Sequence, residues 1–245
     1  MPYRKEPFEN NEIYHITTRR IGDELLFKDT NDYYRGVFSI YEFNNSNLVE
    51  IRKRREARAR LRKEQSNGDP TSATLEEDKR NKFVEILVFS QMPNHIHLLL
   101  RQIQDNGISK FMQKFGTGYA SYFKEKHEQK RKEYFFQRRF SSVPIKTEDQ
   151  LRTVFVYIHT NPISLCEPNW KDKGIAEPEK VIEFLENYKW SSYLDYIGKR
   201  NFPSVTEREF LSEIMGGEES CRKSIEEWVR YKGEIKEFAN LALEE

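Results

Sequence analysis

The sequence predicts an α+β protein, because short segments rich in β-branched and other apolar residues alternate with longer segments of helical periodicity. Along the first two thirds of the chain the predicted order is β-α-β-β-α-β, with one more helix after it. This order is typical of a ferredoxin-like antiparallel sheet that carries helices on one face. The length of 245 residues suits one domain of ordinary size with an appendage, or two small domains.

The first strand and the first helix are predicted within the first 43 residues. Residues 11–21 are rich in β-branched side chains and predict the strand. Residues 31–43 predict the helix, for which Thr30 or Asn31 is available as the N-terminal cap. Four side chains at helical spacing form its apolar stripe: Tyr34, Val37, Phe38 and Tyr41.

A charged segment then interrupts the pattern at residues 50–82. It begins as an Arg-rich helix that is polar on every side and ends as a linker of Ser, Thr, Asn, Gly and Pro. A helix without an apolar face has nothing to bury, so we expect the segment to project from the domain or to be partly disordered. We therefore expect the rest of the chain to fold without residues about 50–80.

The predicted sheet continues after this segment. Residues 83–92 and 95–102 predict two strands of a hairpin that turns at Pro93 and Asn94. Residues 107–130 predict a long amphipathic helix. Its apolar stripe consists of Ile108, Phe111, Met112, Phe115, Tyr119, Tyr122 and Phe123.

One further strand and one further helix complete the first part of the chain. Residues 134–145 predict the strand. Residues 147–162 predict the helix, with Thr147 as its N-terminal cap and Pro162 beyond its end. From residue 166 onward the pattern is helical.

Charge is distributed unevenly between two parts of the chain. Residues 1–165, the predicted α+β domain, contain 29 Lys and Arg against 22 Asp and Glu, a net charge of +7. Residues 166–245, a predicted helical C-terminal extension, contain 12 against 18, which gives −6 and a total of +1. The basic first part favours a polyanionic partner.

Composition excludes several classes of protein. No apolar run approaches the roughly 20 residues of a membrane span, and the N-terminal residues MPYRKEPFENNE lack the apolar stretch of a secretion signal. Two cysteines, Cys166 and Cys221, indicate neither a disulfide framework nor a cysteine-based metal site. We therefore expect a cytoplasmic protein without a membrane partner.

Two histidines lie two residues apart in the segment QMPNHIHLLL (91–100). Alternate side chains of a strand share a face, so His95 and His97 point to one side and Ile96 points to the other. Two imidazoles this close can bind one metal ion, but the same geometry also serves a hydrogen-bonded structural pair. The motif alone leaves both interpretations open.

The predicted helix 147–162 offers a second group of polar side chains. Tyr157 and Asn161 lie one turn apart on one flank of its apolar stripe, because residues i and i+4 are neighbours on a helix. The amide oxygen of Asn161 suits Mg or Mn, and the phenol of Tyr157 can act as a covalent nucleophile. A tyrosine in a helix more often serves packing. His159 lies on the opposite flank and is interpreted as structural.

Five short sequence motifs lie along the chain. They are YHITTRR (14–20), MPNHIHLLL (92–100), FFQRRF (135–140), YIHTNP (157–162) and NYKWSSY (187–193). In this combination the chain resembles the single-tyrosine HUH transposases of small insertion sequences, and among them the REP-associated tyrosine transposases. Two features depart from that family: the insertion at residues 47–80, and Arg138 in place of a small residue.

The resemblance implies a ferredoxin-like catalytic domain that cleaves and rejoins single-stranded DNA through a 5′-phosphotyrosine intermediate. It implies that His95 and His97 bind a divalent metal, Mg or Mn, that Asn161 is the third ligand, and that Tyr157 is the nucleophile. It leaves open two other functions: a domesticated, non-catalytic protein that recognises DNA hairpins, and a metal-dependent nuclease that uses water.

Single-stranded or hairpin DNA is the partner that the resemblance implies, and either a monomer or a homodimer fits the pattern. Phosphate contacts are expected from cations of the basic first part. The candidates are Arg19, Arg20, Lys130, Arg131, Arg138 and Arg139. The stretch 52–63 is either an additional DNA-binding helix or a solvated projection.

Overall fold

Four antiparallel strands form the sheet at the centre of the protein. A computed structural model describes residues 7–49, 56, 78, 80–128, 134–137 and 139–230. The strands are β1 (Ile13–Arg19), β2 (Val84–Met92), β3 (His95–Gln102) and β4 (Ser141–Ile145), in the order β2-β3-β1-β4. β1 lies between β3 and β4, and both pairings are antiparallel. The predicted α+β, ferredoxin-like fold is confirmed.

Two helices cover one face of this sheet, as predicted. They are α1 (Thr30–Glu42), which follows β1, and α2 (Gly107–Lys126), which follows β3. Their apolar stripes share a core with side chains of the strands, such as Ile16 and Leu98. The N-terminal cap of α1 is Asp29, whose carboxylate accepts bonds from the backbone N–H groups of Asn31 and Asp32. The cap predicted at Thr30 or Asn31 was wrong by one residue.

The opposite face is covered by α3 (Glu148–Thr160) and by the helices that follow it. These are α4 (Ile163–Cys166), α5 (Trp170–Lys173), α6 (Pro178–Asn187), α7 (Tyr193–Tyr196), α8 (Glu209–Met215) and α9 (Glu218–Arg230). Their buried side chains form one core with α3 and with Leu87, Val88 and Leu99 of the sheet. The extension predicted from residue 166 onward is helical and packs directly on the sheet. None of the described helices has the length and apolar character needed to cross a bilayer.

The segment before α7 closes the outer edge of β2. The backbone N–H of Gln91 donates to the carbonyl of Trp190 at 2.9 Å, and the N–H of Ser192 donates to the carbonyl of Phe89 at 3.0 Å. Ser191 forms a bridge with Ser90. An exposed strand edge invites pairing with other chains, and the motif NYKWSSY therefore protects β2.

The strand predicted at residues 134–145 begins only at Ser141. Phe135 packs on Phe123 of α2 with ring centroids 5.0 Å apart, and Phe136 makes a single bridge to Arg20. The rings of this segment pack on α2, while its backbone still pairs with the end of β1: the N–H of Gln137 donates to the carbonyl of Arg19 at 2.9 Å, and the N–H of Ile21 donates to the carbonyl of Phe135 at 3.3 Å. The helix predicted to reach residue 130 ends at Lys126.

Residues 50–55, 57–77 and 79 of the predicted insertion lie outside the described residues. Its C-terminal end, however, belongs to the fold. The guanidinium of Arg80 lies 3.5 Å from the ring centroid of Tyr41 and forms an ion pair with Asp78 at 2.7 Å. A deletion meant to spare the core must therefore end before Asp78.

Candidate active site

Three histidines converge on the face of the sheet that α3 covers. His95 and His97 share that face, as their spacing predicts, and in the strand register His97 pairs with Thr17 of β1. His15 lies two residues before Thr17 and therefore on the same face. The sequence interpretation missed His15, although the alternation of residues 13, 15, 17 and 19 along β1 could have indicated it.

Hydrogen bonds fix the orientation of the two β3 histidines. The Nδ1 atom of His97 lies 3.0 Å from His15 Nε2 and 3.1 Å from Thr17 Oγ1. The Nδ1 atom of His95 lies 2.6 Å from the side-chain oxygen of Asn94, which accepts a hydrogen bond from it. Asn94 thereby makes Nδ1 the donor of His95, whereas Thr17 and His15 can each donate to or accept from His97 Nδ1. The two Nε2 atoms lie 3.0 Å apart, a distance at which they can share one proton or bind one cation.

This arrangement fits the implied metal ion. Two ligand atoms at about 2.1 Å from an octahedral cation, at right angles to each other, are about 3.0 Å apart, which matches the distance between the two Nε2 atoms. Burial lowers the pKa of His97 well below its usual value, and the neighbouring His15, His95, Arg19 and Lys171 lower it further. A neutral imidazole is the form that binds metals.

Tyr157 lies beside the histidines. Its ring centroid is 5.6 Å from that of His97 and 5.8 Å from that of His15, with the rings edge-on at 88° and 79°. The Tyr157 side chain is half-buried. Asn161 follows one turn later as the C-terminal cap of α3, and its backbone N–H donates to the carbonyl of Tyr157 at 3.0 Å. The role of Asn161 as third ligand stays a prediction.

His159 points away from this group, as its position on the opposite flank predicts. It is fully buried, and its Nε2 lies 2.9 Å from Ser192 Oγ in the segment that closes the edge of β2. Burial lowers the pKa of His159 to about 3, so the ring is neutral. It ties α3 to the sheet edge.

Two tyrosines of α2, Tyr119 and Tyr122, have hydroxyl groups that are bonded on the other side of the sheet. Tyr119 is fully buried between α2 and the sheet, and its hydroxyl donates to the carbonyl of Leu26 at 2.8 Å. Burial raises the pKa of Tyr119 strongly. The hydroxyl of Tyr122 donates to Asp32 at 2.9 Å.

A second group of potential metal ligands consists of Asp29, Asp32 and His127, on the other side of the sheet. The ammonium of Lys126 already lies 2.7 Å from both carboxylates. Asp32 also accepts from His127 at 2.9 Å. This group is an ion-pair network that joins the start of α1 to the end of α2, and Lys126 provides the cation.

The predicted DNA-binding cations occupy different environments. Arg19 is half-buried and lies on the histidine face, opposite His95 in the register, and Arg139 is exposed. Arg20 is buried, with its guanidinium 3.7 Å from the ring centroid of Phe135 and 2.8 Å from Glu24, so its charge faces the interior. The other three candidates, Lys130, Arg131 and Arg138, lie outside the described residues.

Comparisons with known proteins agree with the motifs. Residues 46–161, a little under half of the 245-residue chain, match the family described as "Transposase IS200 like". This match confirms the resemblance to transposases of small insertion sequences, and it supports a transposase. A search of curated proteins finds no significant match.

One solved structure, a REP-associated tyrosine transposase bound to a REP hairpin, is similar at 14% sequence identity. The similarity covers 85% of this chain and 95% of that chain, with a TM-score of 0.42.

Proposed function

From the similarity of residues 46–161 to the IS200-like transposases, we propose that this protein is a metal-dependent transposase that cleaves and rejoins single-stranded DNA. Tyr157 is the proposed nucleophile. The observation that carries this proposal is the position of the Tyr157 ring, 5.6 Å from the ring of His97, whose Nε2 converges with that of His95. A nucleophile and a potential cation site therefore lie side by side.

The proposed ligands of the divalent cation, Mg or Mn, are the Nε2 atoms of His95 and His97 and the side-chain oxygen of Asn161. A bound cation supplies Lewis-acid stabilisation of the charge that develops on the phosphate. Thr17, His15 and Asn94 orient the two imidazoles through the Nδ1 contacts described above. Such outer hydrogen bonds orient metal ligands and raise their basicity.

In the proposed reaction the phenol oxygen of Tyr157 forms a bond to phosphorus, and the bond from phosphorus to O3′ breaks. The phenol proton ends on the O3′ leaving group, so the products are a 5′-phosphotyrosine and a free 3′-hydroxyl. The same steps in reverse join the 5′-phosphate to another 3′-hydroxyl. Because the phosphotyrosine retains the energy of the broken bond, rejoining needs no nucleotide cofactor.

The proposed substrate is single-stranded or hairpin DNA. Arg19 lies on the histidine face beside His95, which suits it to a phosphate near the cleavage site. Arg139 is exposed at the end of the aromatic segment that precedes β4. Buried Arg20 is better suited to holding that segment, through its contact with Phe135.

A covalent adduct tests this function. Single-stranded and hairpin oligonucleotides are incubated with the protein and Mn or Mg, and the products are separated under denaturing conditions. We expect a protein–DNA adduct that forms only with the metal present. Cleavage without an adduct would indicate a nuclease that uses water, and binding without cleavage would indicate a non-catalytic hairpin-binding protein.

A further inference from the structure

An aromatic cluster lies at the β2 edge of the sheet, outside the site described above. Trp190 stacks on Tyr33, with ring centroids 4.8 Å apart and an interplanar angle of 23°. The ring of Tyr34 meets that of Trp190 edge-on, with centroids 5.0 Å apart. The ring centroid of Phe202 lies 6.3 Å from those of Tyr34 and Trp190. Tyr34 is 47% exposed, although the sequence placed it in the buried stripe of α1. A large ring is thus held rigidly at the surface.

A lysine accompanies these rings. The Nζ atom of Lys189 lies 4.7 Å from the ring centroid of Tyr34 and 4.6 Å from that of Trp190, and it donates to the hydroxyl of Tyr34 at 2.9 Å. Among the described residues no carboxylate forms an ion pair with Lys189. The aromatic contacts leave its charge uncompensated, so it remains available to an anion. Tyr34, Lys189 and Trp190 are called the platform below.

The platform lies at the same end of the sheet as the histidines. The carbonyl of Trp190 accepts from the N–H of Gln91, and Gln91 pairs in the sheet with Ile96, the residue between His95 and His97. Neighbouring strands are about 4.8 Å apart, so two spacings put the Trp190 backbone about 10 Å from β3. The platform rings pack on the α1 face of the sheet, so a DNA strand that reaches both the platform and the histidines must pass around this end of the sheet.

We propose that the platform binds one nucleotide of the single-stranded substrate, with the base stacked on Tyr34 and a phosphate at Lys189. The inference rests on the proposed function, which brings a DNA strand to the histidines. An exposed aromatic ring beside an uncompensated ammonium matches the two parts of a nucleotide, its flat apolar base and its charged phosphate. A protein segment bound here would have to supply an acidic group for Lys189.

The test measures binding of an oligonucleotide that carries 2-aminopurine at successive positions, because stacking on an aromatic ring quenches this base. We expect wild-type protein to quench one position strongly. Tyr34→Ala removes the quenching and weakens binding about 5- to 150-fold, the range for loss of one stacked base. Tyr34→Phe keeps the aromatic ring, so we expect the quenching and the affinity of the wild type.

Lys189→Met keeps the aliphatic stem and removes the charge. We expect this variant to reduce the slope of log affinity against log salt concentration by about 1, the value for the loss of one phosphate contact. The matched control is Lys180→Met, because Lys180 is exposed on α6 and paired with Glu177; it leaves the salt dependence unchanged. Thermal unfolding of each variant shows that the fold is retained.

The outcomes separate this inference from the function on which it depends. If wild-type protein binds no single-stranded DNA, the proposed function fails. If it binds and forms the adduct while Tyr34→Ala has the same affinity and quenching, the platform is not a nucleotide site. Self-association that is lost in Tyr34→Ala without any effect on DNA would make the platform a protein interface, which also overturns the proposal.

Discussion

Replacing Thr17 by Val isolates the effect of the hydrogen bonds that orient His97. Valine has nearly the shape of threonine, so the change removes the Oγ1 atom that lies 3.1 Å from His97 Nδ1 and little else. The second partner of Nδ1, His15 Nε2 at 3.0 Å, remains. The variant therefore weakens the control of the His97 orientation without exposing the site.

The size of the effect follows from the number of partners. Loss of an outer hydrogen bond to a metal ligand typically costs 10- to 100-fold in metal affinity. Because one of two partners survives in Thr17→Val, we expect a loss near tenfold, about 1.4 kcal/mol in binding free energy. Removal of the Asn94 side-chain oxygen, 2.6 Å from His95 Nδ1, is expected to lower the metal affinity within the same 10- to 100-fold range.

Calorimetric titration with Mn measures the affinity directly, and the metal concentration for half-maximal cleavage provides an independent value. Thr206→Val is the matched control, because Thr206 is buried beside Arg208 and outside the histidine group. Equal Mn affinity in wild type and Thr17→Val, with both proteins folded, would refute the proposed role of Thr17. It would also weaken the assignment of His97 Nε2 as a ligand.

Three further outcomes are expected. His97→Ala abolishes metal-dependent cleavage but leaves the thermal unfolding transition in place; unchanged cleavage would exclude the site. Tyr119→Phe loses about 1–2 kcal/mol of stability in urea unfolding, because the Leu26 carbonyl loses its donor, yet it retains adduct formation. Asp32→Asn, at a fully buried carboxylate, lowers the unfolding free energy at pH 7 by about 2–4 kcal/mol. Burial alone raises the pKa of Asp32, but bonds from Lys126, Lys28, His127 and Tyr122 lower it below its usual value. The stabilisation is therefore present above the unfolded-state pKa and is lost as the pH falls through the folded-state pKa. Wild type and variant should converge as the pH is lowered, and a stability difference that does not shrink in acid would contradict this.

The strand β3 and the start of α3 were predictable because the residues that determine them are neighbours in the sequence. The β3 strand occupies residues 95–102 as predicted, since a Pro-Asn turn precedes an apolar run in which alternate residues share a face. Thr147 caps α3 as predicted, with its hydroxyl accepting from the N–H of Gln150. Both features depend only on residues within one turn or one hairpin.

Long-range features were not predictable from the same signals. His15 reaches His97 only because β1 pairs with β3, which lies more than 80 residues away in the chain. The segment around Phe135 has the composition of a strand and pairs with the end of β1, but its register there differs by two residues from that of β4, which no local signal indicates. Likewise, the helical spacing of Tyr34 is that of a core residue. Its side chain is nevertheless exposed and packs edge-on against Trp190, a contact between residues far apart in the chain.

Mapping of the covalent DNA adduct tests the choice of nucleophile most directly. Wild-type protein and Tyr157→Phe are incubated with a single-stranded hairpin oligonucleotide and Mn, the adduct is isolated under denaturing conditions, and the linked peptide is sequenced. We expect the DNA on Tyr157 in the wild type, and no adduct in Tyr157→Phe although DNA binding and metal binding survive. An adduct that persists in Tyr157→Phe and maps to Tyr119 or Tyr122 would contradict the assignment.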